Sequence, residues 1–167
     1  MYNQLTQADI KKMEEEIEYR TVTLRYKLLE EVKRTRAFGD LSENFEYKMA
    51  KQQKNKNESR IRYLKNMIRT AKVIDDKSAD DEVGIFDTVT LFMEDDNEEE
   101  NYTLVTNIRV NVLEGLISTD SPVGKAIMGR KLGDRVKVQV NDNYSYNAVI
   151  KNISKGIDDG SIPLKAY

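Results

Sequence analysis

The chain contains no cysteine, histidine or tryptophan, and only two of its 167 residues are proline. Without cysteine it can form no disulfide bond, thiol nucleophile or thiolate metal site. Without histidine it lacks the Ser-His and Cys-His pairs of many hydrolases, the common zinc ligands and a histidine general base. Any chemistry must therefore depend on carboxylates, lysines, tyrosines or hydroxyl groups.

Long hydrophobic runs are also missing. No stretch approaches the roughly 18 apolar residues of a membrane-spanning helix. The first residues do not combine a basic region with a following apolar one, as a secretory signal peptide does. These absences predict an intracellular, cytoplasmic protein that does not associate with membranes, and we expect it to be a monomer.

Charged residues are abundant and unevenly distributed. They make up 34% of the chain, above the roughly 25% of an average globular protein. Residues 1–78 carry 18 Lys and Arg against 13 Asp and Glu, whereas residues 79–167 carry 9 against 16. A basic half joined to an acidic half predicts two modules with different partners.

The first module is predicted to be a pair of long helices. Residues 7–36 and 41–73 contain neither glycine nor proline, and their apolar residues recur roughly every 3.5 positions. The predicted seam residues are Ile10, Met13, Ile17, Leu24, Leu28 and Val32, followed by Phe45, Met49, Ile61, Leu64, Ile68 and Ala71. Gly39 is expected to end the first helix. Because the connection is short, residues 1–76 are predicted to form an antiparallel helical hairpin.

The second module is predicted to be a small sheet with one short helix. Its candidate strands are residues 85–93, 102–108, 116–117, 135–140 and 144–150, and residues 123–130 are the candidate helix. The acidic segment 94–100 is expected to be a solvated hairpin turn. We therefore predict an α+β two-domain protein, with a second domain at residues 77–157 and a loose tail at residues 158–167.

The predicted hairpin tip has the sequence Gly-Asp-Leu-Ser-Glu-Asn-Phe-Glu-Tyr, beginning at Gly39. Asp40 and Glu43 have the spacing of a helix N-cap and its capping-box partner. The same two carboxylates, at the end of a narrow probe, could instead help to hold a divalent cation. Because Mg²⁺ prefers six oxygen ligands, they would form only part of such a site. The two roles are compatible, since each carboxylate has spare lone pairs.

A row of cations follows the tip on the second helix. Its members are Lys48, Lys51, Lys54, Lys56, Arg60 and Arg62. The row can be a solvated helix face or a stripe that binds phosphate groups, and the positive charge of this half favours the second interpretation. Phe45 and Tyr47 lie close by in the sequence, where an unpaired nucleotide could stack.

Three segments of the sequence resemble one protein family. These segments are GDLSENFEY at the tip, NESRIRYLKNMIRTAKVID in the second helix and ISTDSPVGKAIMGRKLGDRV in the second module. They resemble the bacterial transcript cleavage factors of the GreA/GreB family of transcription elongation factors. The resemblance extends from about Leu5 to Ile150, and its C-terminal part looks more like GreA than GreB.

The resemblance implies a fold and a mechanism. The fold is an N-terminal antiparallel coiled coil followed by an FKBP-like α+β domain that binds bacterial RNA polymerase. The coiled coil enters the secondary channel of the polymerase. There Asp40 and Glu43 share Mg²⁺ with the polymerase, which cleaves the 3′ end of backtracked nascent RNA. The free protein is expected neither to hold the Mg²⁺ stably nor to act as an enzyme by itself.

The resemblance also implies roles for further residues. It assigns support of the tip acids to Asn44 and Tyr47, RNA contacts to Lys48, Lys51 and Lys54, and polymerase docking to Asp120, Ser121 and Pro122. Packing at the start of the second helix is an equally good explanation for Asn44 and Tyr47, and a plain turn is the alternative for the docking loop.

Two other functions remain open from the sequence. Phe45 replaces the small residue usual at its position in the family motif, which leaves room for a regulator that occupies the channel and inhibits polymerase without cleavage. The retention of Asp40 and Glu43 favours cleavage. Prolyl isomerase activity is the third possibility, but the second module offers few aromatic residues for a ligand pocket.

Overall fold

The computed structural model describes residues 3–39 and 43–165. The chain divides into two compact units, which consist mainly of residues 9–71 and of residues 72–166. None of the helices in the described ranges has the length and apolar character needed to cross a membrane. Two short strands, β1 (Asn3–Leu5) and β2 (Ala71–Val73), form a two-stranded sheet.

The first unit is a helical hairpin, as predicted. Its first arm consists of α1 (Gln7–Glu18) and α2 (Arg25–Arg36), and its second arm is α3 (Phe45–Arg69). The first arm is not one regular helix, because Tyr19–Leu24 form a π-helical turn. The carbonyl of Arg20 accepts a hydrogen bond from the backbone N–H of Arg25, five residues on, and another from the side-chain amide of Asn57. The π-helical turn therefore falls between the predicted seam residues Ile17 and Leu24, where Arg20 and Thr21 supply no apolar side chain.

The helix contacts near the tip differ from the predicted seam. α3 buries Ala50, Ile61, Leu64 and Met67, whereas Phe45 is 70% exposed and Met49 39% exposed. The prediction that Phe45 and Met49 belong to the seam is therefore wrong. In a helix with 3.6 residues per turn, one face cannot hold both Met49 and Ala50, and the smaller side chain faces the partner arm.

A buried polar network lies in the middle of the hairpin. Arg60, expected in the exposed row of cations, is buried and donates two hydrogen bonds to Glu16, at 2.8 and 2.9 Å. Arg20 also donates to Glu16, at 2.7 Å. Burial raises the pKa of the Glu16 carboxyl, but the hydrogen bonds from the two arginines outweigh burial and hold the pKa below its usual value. Arg60 therefore binds the other arm of the hairpin.

The second unit is an α+β domain around a five-stranded sheet. Its strands are β3 (Thr88–Met93), β4 (Glu98–Val105), β5 (Leu116–Ser118), β6 (Arg135–Asn141) and β7 (Tyr144–Ser154). The strand order is β5-β4-β3-β7-β6, and only the β4–β5 pair is parallel. Buried Val89, Leu91, Leu104 and Ile150 form the centre of its core with Ile127 from the short helix α4 (Pro122–Ile127).

Several boundaries in this domain differ from the prediction. β3 begins at Thr88 rather than Ile85, β4 ends at Val105 rather than Ile108, and β7 continues to Ser154 rather than ending at Ile150. The short helix ends at Ile127 rather than near Arg130. Only part of the acidic segment is a turn, because β4 begins at Glu98 and its first acidic residues pair with β3. The side chains of these acidic residues remain exposed. The run of negative charge therefore predicted their exposure to solvent correctly, but it did not predict the conformation of the backbone.

The prediction of a loose tail is wrong for the residues that the structure describes. Arg109, which is 1% exposed, donates two hydrogen bonds to the Asp158 carboxylate, at 2.8 and 2.6 Å. The same guanidinium donates to the carbonyl of Ile162 and lies 5.1 Å from the centre of the Phe86 ring. A buried charge requires a partner, and the tail provides it. The tail is thus part of the packed domain.

Candidate functional site

The tip lies between α2 and α3, and part of it is outside the described residues. α2 ends at Arg36 with Ala37 as its C-cap, and Gly39, two residues further on, has a φ of +119°, a conformation that residues with a side chain rarely adopt. Asp40 falls in the range 40–42, outside the described residues. Glu43 is described and exposed. Of the two predicted tip acids, the structure thus gives the position of Glu43 alone.

Asn44 is the N-cap of α3. Its side-chain oxygen accepts a hydrogen bond from the backbone N–H of Tyr47 at 2.9 Å, and its amide nitrogen donates to the carbonyl of Thr35 at 2.8 Å. One side chain therefore satisfies a donor at the start of α3 and joins it to the end of α2. The predicted helix start near Leu41 is wrong, and so is the capping-box role for Glu43, because Glu43 precedes the cap.

Replacing Asn44 tests this cap. We expect Asn44→Ala to reduce the free energy of unfolding by about 1–2 kcal/mol, because it removes both the cap and the bond to Thr35. Asn44→Asp keeps the acceptor for Tyr47 and should lose less. Chemical denaturation followed by circular dichroism measures both values. Equal stability of the alanine variant and the wild type would contradict the role of this side chain.

Aromatic side chains flank the tip. Phe38, 59% exposed, lies under the guanidinium of Arg34, with 5.2 Å between the guanidinium carbon and the ring centre. Phe45 is 70% exposed at the first position of α3. Exposed rings next to a basic segment have the chemistry to stack on unpaired bases.

The predicted basic patch divides into two faces of α3. Lys48 and Lys51 line one shallow surface depression together with Lys56. Lys54 lies six positions after Lys48, which places it about 240° away around the helix. The positive charge of Lys54 instead contributes to the lowered pKa of Glu58, whose main cause is the hydrogen bond from Arg25. The RNA contacts implied by the resemblance thus include Lys54, which lies on another face, and omit Lys56, which lines the depression.

The predicted docking loop forms the start of α4. Ser121 is the N-cap of this helix: its hydroxyl accepts from the backbone N–H of Gly124 at 3.0 Å and donates to the carbonyl of Ser118 at 2.7 Å. Pro122 follows at the first helical position, which suits its fixed φ. Asp120 accepts a hydrogen bond from the side chain of Asn107 at 2.7 Å. The loop is therefore an ordered, capped turn.

Sequence reasoning missed an apolar surface on the same domain. Leu113 is 98% exposed and Val112 is 73% exposed, in a short 3₁₀ turn (Val112–Glu114). Such exposed apolar neighbours in a small domain are candidates for contact with another protein. The sequence feature that could have indicated this surface is the apolar pair Val112 and Leu113, which lies outside the predicted strands and is followed by Glu114 and Gly115.

The described part of the tip supplies one carboxylate that could take part in a metal site. Among residues 3–39 and 43–165, no group of three or more acidic side chains is arranged to hold a metal ion. The exposed carboxylate of Glu43 is a hard oxygen donor of the kind that Mg²⁺ prefers. A single carboxylate from a tip, even with Asp40 beside it in the sequence, supplies fewer than six ligands. Such a site needs further oxygen atoms from a partner.

Comparison with known proteins identifies the family. Residues 3–73 match the family model described as transcription elongation factor, N-terminal. Residues 77–155 match the model described as transcription elongation factor, GreA/GreB, C-term. Together these two matches cover most of the chain and both of its structural units.

Two sequence relatives agree with the family models. The chain is 46% identical to transcription elongation factor GreA of Bacillus licheniformis over 136 residues. The aligned region covers 81% of this chain and 86% of that protein. The chain is 42% identical over 135 residues to the GreA protein of Bacillus subtilis, covering 81% and 86%. A crystal structure of the GreA factor homolog 1 (Gfh1) protein of Thermus thermophilus is 22% identical, covers 93% of this chain and 100% of that chain, and gives a TM-score of 0.43. The chain belongs to the GreA/GreB family of transcription elongation factors.

Proposed function

We propose that this protein binds bacterial RNA polymerase and stimulates the polymerase to cleave the 3′ end of backtracked nascent RNA. The observation that carries the proposal is the position of Glu43, exposed at the end of a helical hairpin and directly before a cap formed by Asn44. Because Asn44 caps α3, the carboxylate of Glu43 is not needed for that purpose. The carboxylate of Glu43 is thus available to a partner, which supplies the catalytic centre, and the family resemblance gives Asp40 the same role.

The shape of the hairpin suits delivery of these carboxylates into a narrow channel. α3 has 25 residues, which corresponds to a length of about 37 Å. Two packed helices present a much smaller cross-section than a globular domain. The hairpin therefore reaches a buried active centre through the secondary channel of the polymerase, while the sheet domain remains outside.

In this mechanism Asp40 and Glu43 would hold Mg²⁺ together with ligands from the polymerase and would orient the attacking water. Bound Mg²⁺ supplies positive charge that stabilises the entering and departing oxygens of phosphodiester hydrolysis. Asn44 is a positioning residue, because its two hydrogen bonds fix the chain directly after Glu43. The protein has no activity of its own, since neither the other ligands nor the RNA is present without the polymerase.

The depression lined by Lys48, Lys51 and Lys56 binds the phosphates of the extruded RNA. Three cations on one helix face attract a polyanion at little conformational cost. Tyr47 and Phe45 precede this face, so the exposed Phe45 ring can stack on a base of the RNA. Lys54 contributes positive charge from another face.

The sheet domain docks on the polymerase through two surfaces. One is the capped turn of Asp120, Ser121 and Pro122, and the other is the exposed pair Val112 and Leu113. Ordered turns with an exposed apolar neighbour can bind with little loss of conformational entropy. The association takes place in the cytoplasm, where bacterial transcription occurs.

Leu113 tests this docking surface. We expect Leu113→Ser to weaken polymerase binding roughly tenfold, because a fully buried Leu side chain contributes about 1.5–3 kcal/mol. The melting temperature should not change, since Leu113 packs against almost nothing in the free protein. Leu132→Ser, at a position that is 61% exposed, is the matched control. If both variants bind like the wild type, Leu113 does not contact the polymerase.

The function itself is tested with a backtracked bacterial RNA polymerase complex that carries labelled RNA and Mg²⁺. We expect the protein to shorten the RNA from its 3′ end, and the shortened RNA should resume elongation. If the protein slows nucleotide addition and leaves the RNA at full length, it is a channel-occupying inhibitor instead. The exposed Phe45 makes this second outcome the relevant alternative.

A further inference from the structure

We propose that an aromatic cleft on the sheet domain binds the guanidinium group of an arginine side chain from a partner protein. The cleft, called here the tyrosine cleft, has a volume of about 160 Å³. Its lining residues are Met93, Asp95, Asp96, Glu100, Tyr102, Tyr144 and Tyr146. None of them belongs to the tip, the basic depression or the docking turn, so this proposal is independent of transcript cleavage.

The strand register explains how these side chains meet. Val89 pairs with Tyr102 and Leu91 with Glu100, and paired residues of neighbouring strands share one face of a sheet. Val89 and Leu91 are buried in the core, so Glu100 and Tyr102 extend from the core face. On the other side of β3, Met93 pairs with Ala148, which puts Tyr146 and Tyr144 on the same face. The tyrosine cleft is thus the solvent-exposed continuation of the hydrophobic core.

The aromatic walls of the cleft have geometry suited to a planar cation. The rings of Tyr144 and Tyr146 are 6.1 Å apart and tilted by 42°. The Tyr102 hydroxyl donates a hydrogen bond to the Glu100 carboxylate, which holds that carboxylate beside the rings. A volume of about 160 Å³ is below the roughly 300 Å³ of a typical small-molecule site. The cleft therefore suits the head group of one side chain.

The charges around the cleft select a cation. Three of the seven lining residues are carboxylates and none is lysine or arginine. Burial, followed by the negative charge of Glu100, raises the pKa of Tyr146, as expected for a ring in a negative field. Arg135 pairs with Val149 and therefore lies on the opposite face of the sheet, where it forms a two-point ion pair with Glu94. The negative field is therefore available to a ligand.

Arginine fits these features better than lysine. A guanidinium is planar, stacks on aromatic rings and binds a carboxylate through two parallel hydrogen bonds. A lysine ammonium is a compact, strongly hydrated charge that cannot stack. Tyrosine rings next to a carboxylate thus favour arginine through both contacts at once.

The test is an NMR titration of the full-length, isotope-labelled protein at low salt. The ligands are three blocked tripeptides that differ only in a central arginine, lysine or glutamine. We expect the arginine peptide to shift the amide signals of Tyr102, Tyr144 and Tyr146, the lysine peptide to bind more weakly, and the glutamine peptide to have no effect. Added salt should weaken the response, because the cleft is partly exposed.

Two variants assign the binding to the cleft. Tyr144→Leu and Glu100→Gln should each raise the Kd for the arginine peptide about tenfold, the order expected for a partly shielded cation–π or ionic contact. Tyr144 is 53% exposed, so its replacement should leave the spectrum of the folded protein intact. Tyr26→Leu, at an exposed position of α2, is the matched control and should bind like the wild type.

Three results would overturn the proposal. One is the absence of shifts at about 10 mM arginine peptide, where even millimolar binding is detectable. Another is an equal response to the lysine or glutamine peptide. The third is undiminished binding by Tyr144→Leu together with Glu100→Gln, which would place the peptide elsewhere.

Discussion

Replacing Asp40 and Glu43 with alanine is expected to lower the rate of RNA shortening in a backtracked polymerase complex by at least about a hundredfold, the order seen when groups that stabilise charge at a reacting centre are removed. The physical reason is that, in the proposed mechanism, the shared Mg²⁺ would lose oxygen ligands and the attacking water would lose its orientation. Single replacements should each account for most of the loss, because groups that act as a unit are not additive.

The helical content of the double variant and a control replacement distinguish this role from a structural one. Asn44 caps α3, so the helical content of the double variant should equal that of the wild type. Glu46→Ala is the matched control, because Glu46 is an exposed carboxylate in the first turn of the same helix. The role of the tip acids fails if the double variant still cleaves, or if Glu46→Ala loses cleavage to the same extent.

Removing the carboxylate of Asp158 is expected to destabilise the sheet domain by about 3–5 kcal/mol, the cost of leaving a buried charge without its partner. The guanidinium of Arg109 is fully buried, and Asp158 is its ion-pair partner through two hydrogen bonds. The Phe86 ring and the Ile162 carbonyl also contact Arg109 but carry no compensating charge. Thermal or chemical unfolding of Asp158→Ala measures the effect.

A double replacement distinguishes the contribution of the ion pair to stability from that of simple packing. Asp158→Leu combined with Arg109→Met should recover much of the lost stability, because no charge then stays buried. Asp142→Ala, at an exposed acidic position, should change stability by less than about 0.5 kcal/mol. If Asp158→Ala matched this control, the tail would not stabilise the domain.

Several features were predictable from the sequence because they depend on local chemistry. The two long helices followed from the absence of glycine and proline, and the end of the first arm followed from Gly39. The strands of the second unit followed from β-branched runs between polar turns. The predicted start of α3 was wrong. It depends on whether Asp40 or Asn44 provides the N-cap, and the sequence does not distinguish them because Asp and Asn are both common N-cap residues.

Other features depend on contacts between residues distant in sequence. The polar sequence before Arg60 predicts a helix face exposed to solvent. Arg60 is nevertheless buried, because Glu16, 44 positions earlier, accepts its hydrogen bonds. Residues 158–165 read as a tail, yet Arg109 needs the Asp158 carboxylate. Local patterns contain no information about either partner, because both pairs form only after the elements pack.

The sequence by itself determined the family, the division into a helical hairpin and an α+β domain, and the presence of Glu43 at the tip. These depend on residue order and hydrophobic period, which act over a few residues. Only the tertiary structure decided that Asn44 leaves Glu43 exposed, that Lys56 joins Lys48 and Lys51, and that three tyrosines form one cleft. The reason is that helix rotation, strand register and burial are set by the packing of whole elements against one another.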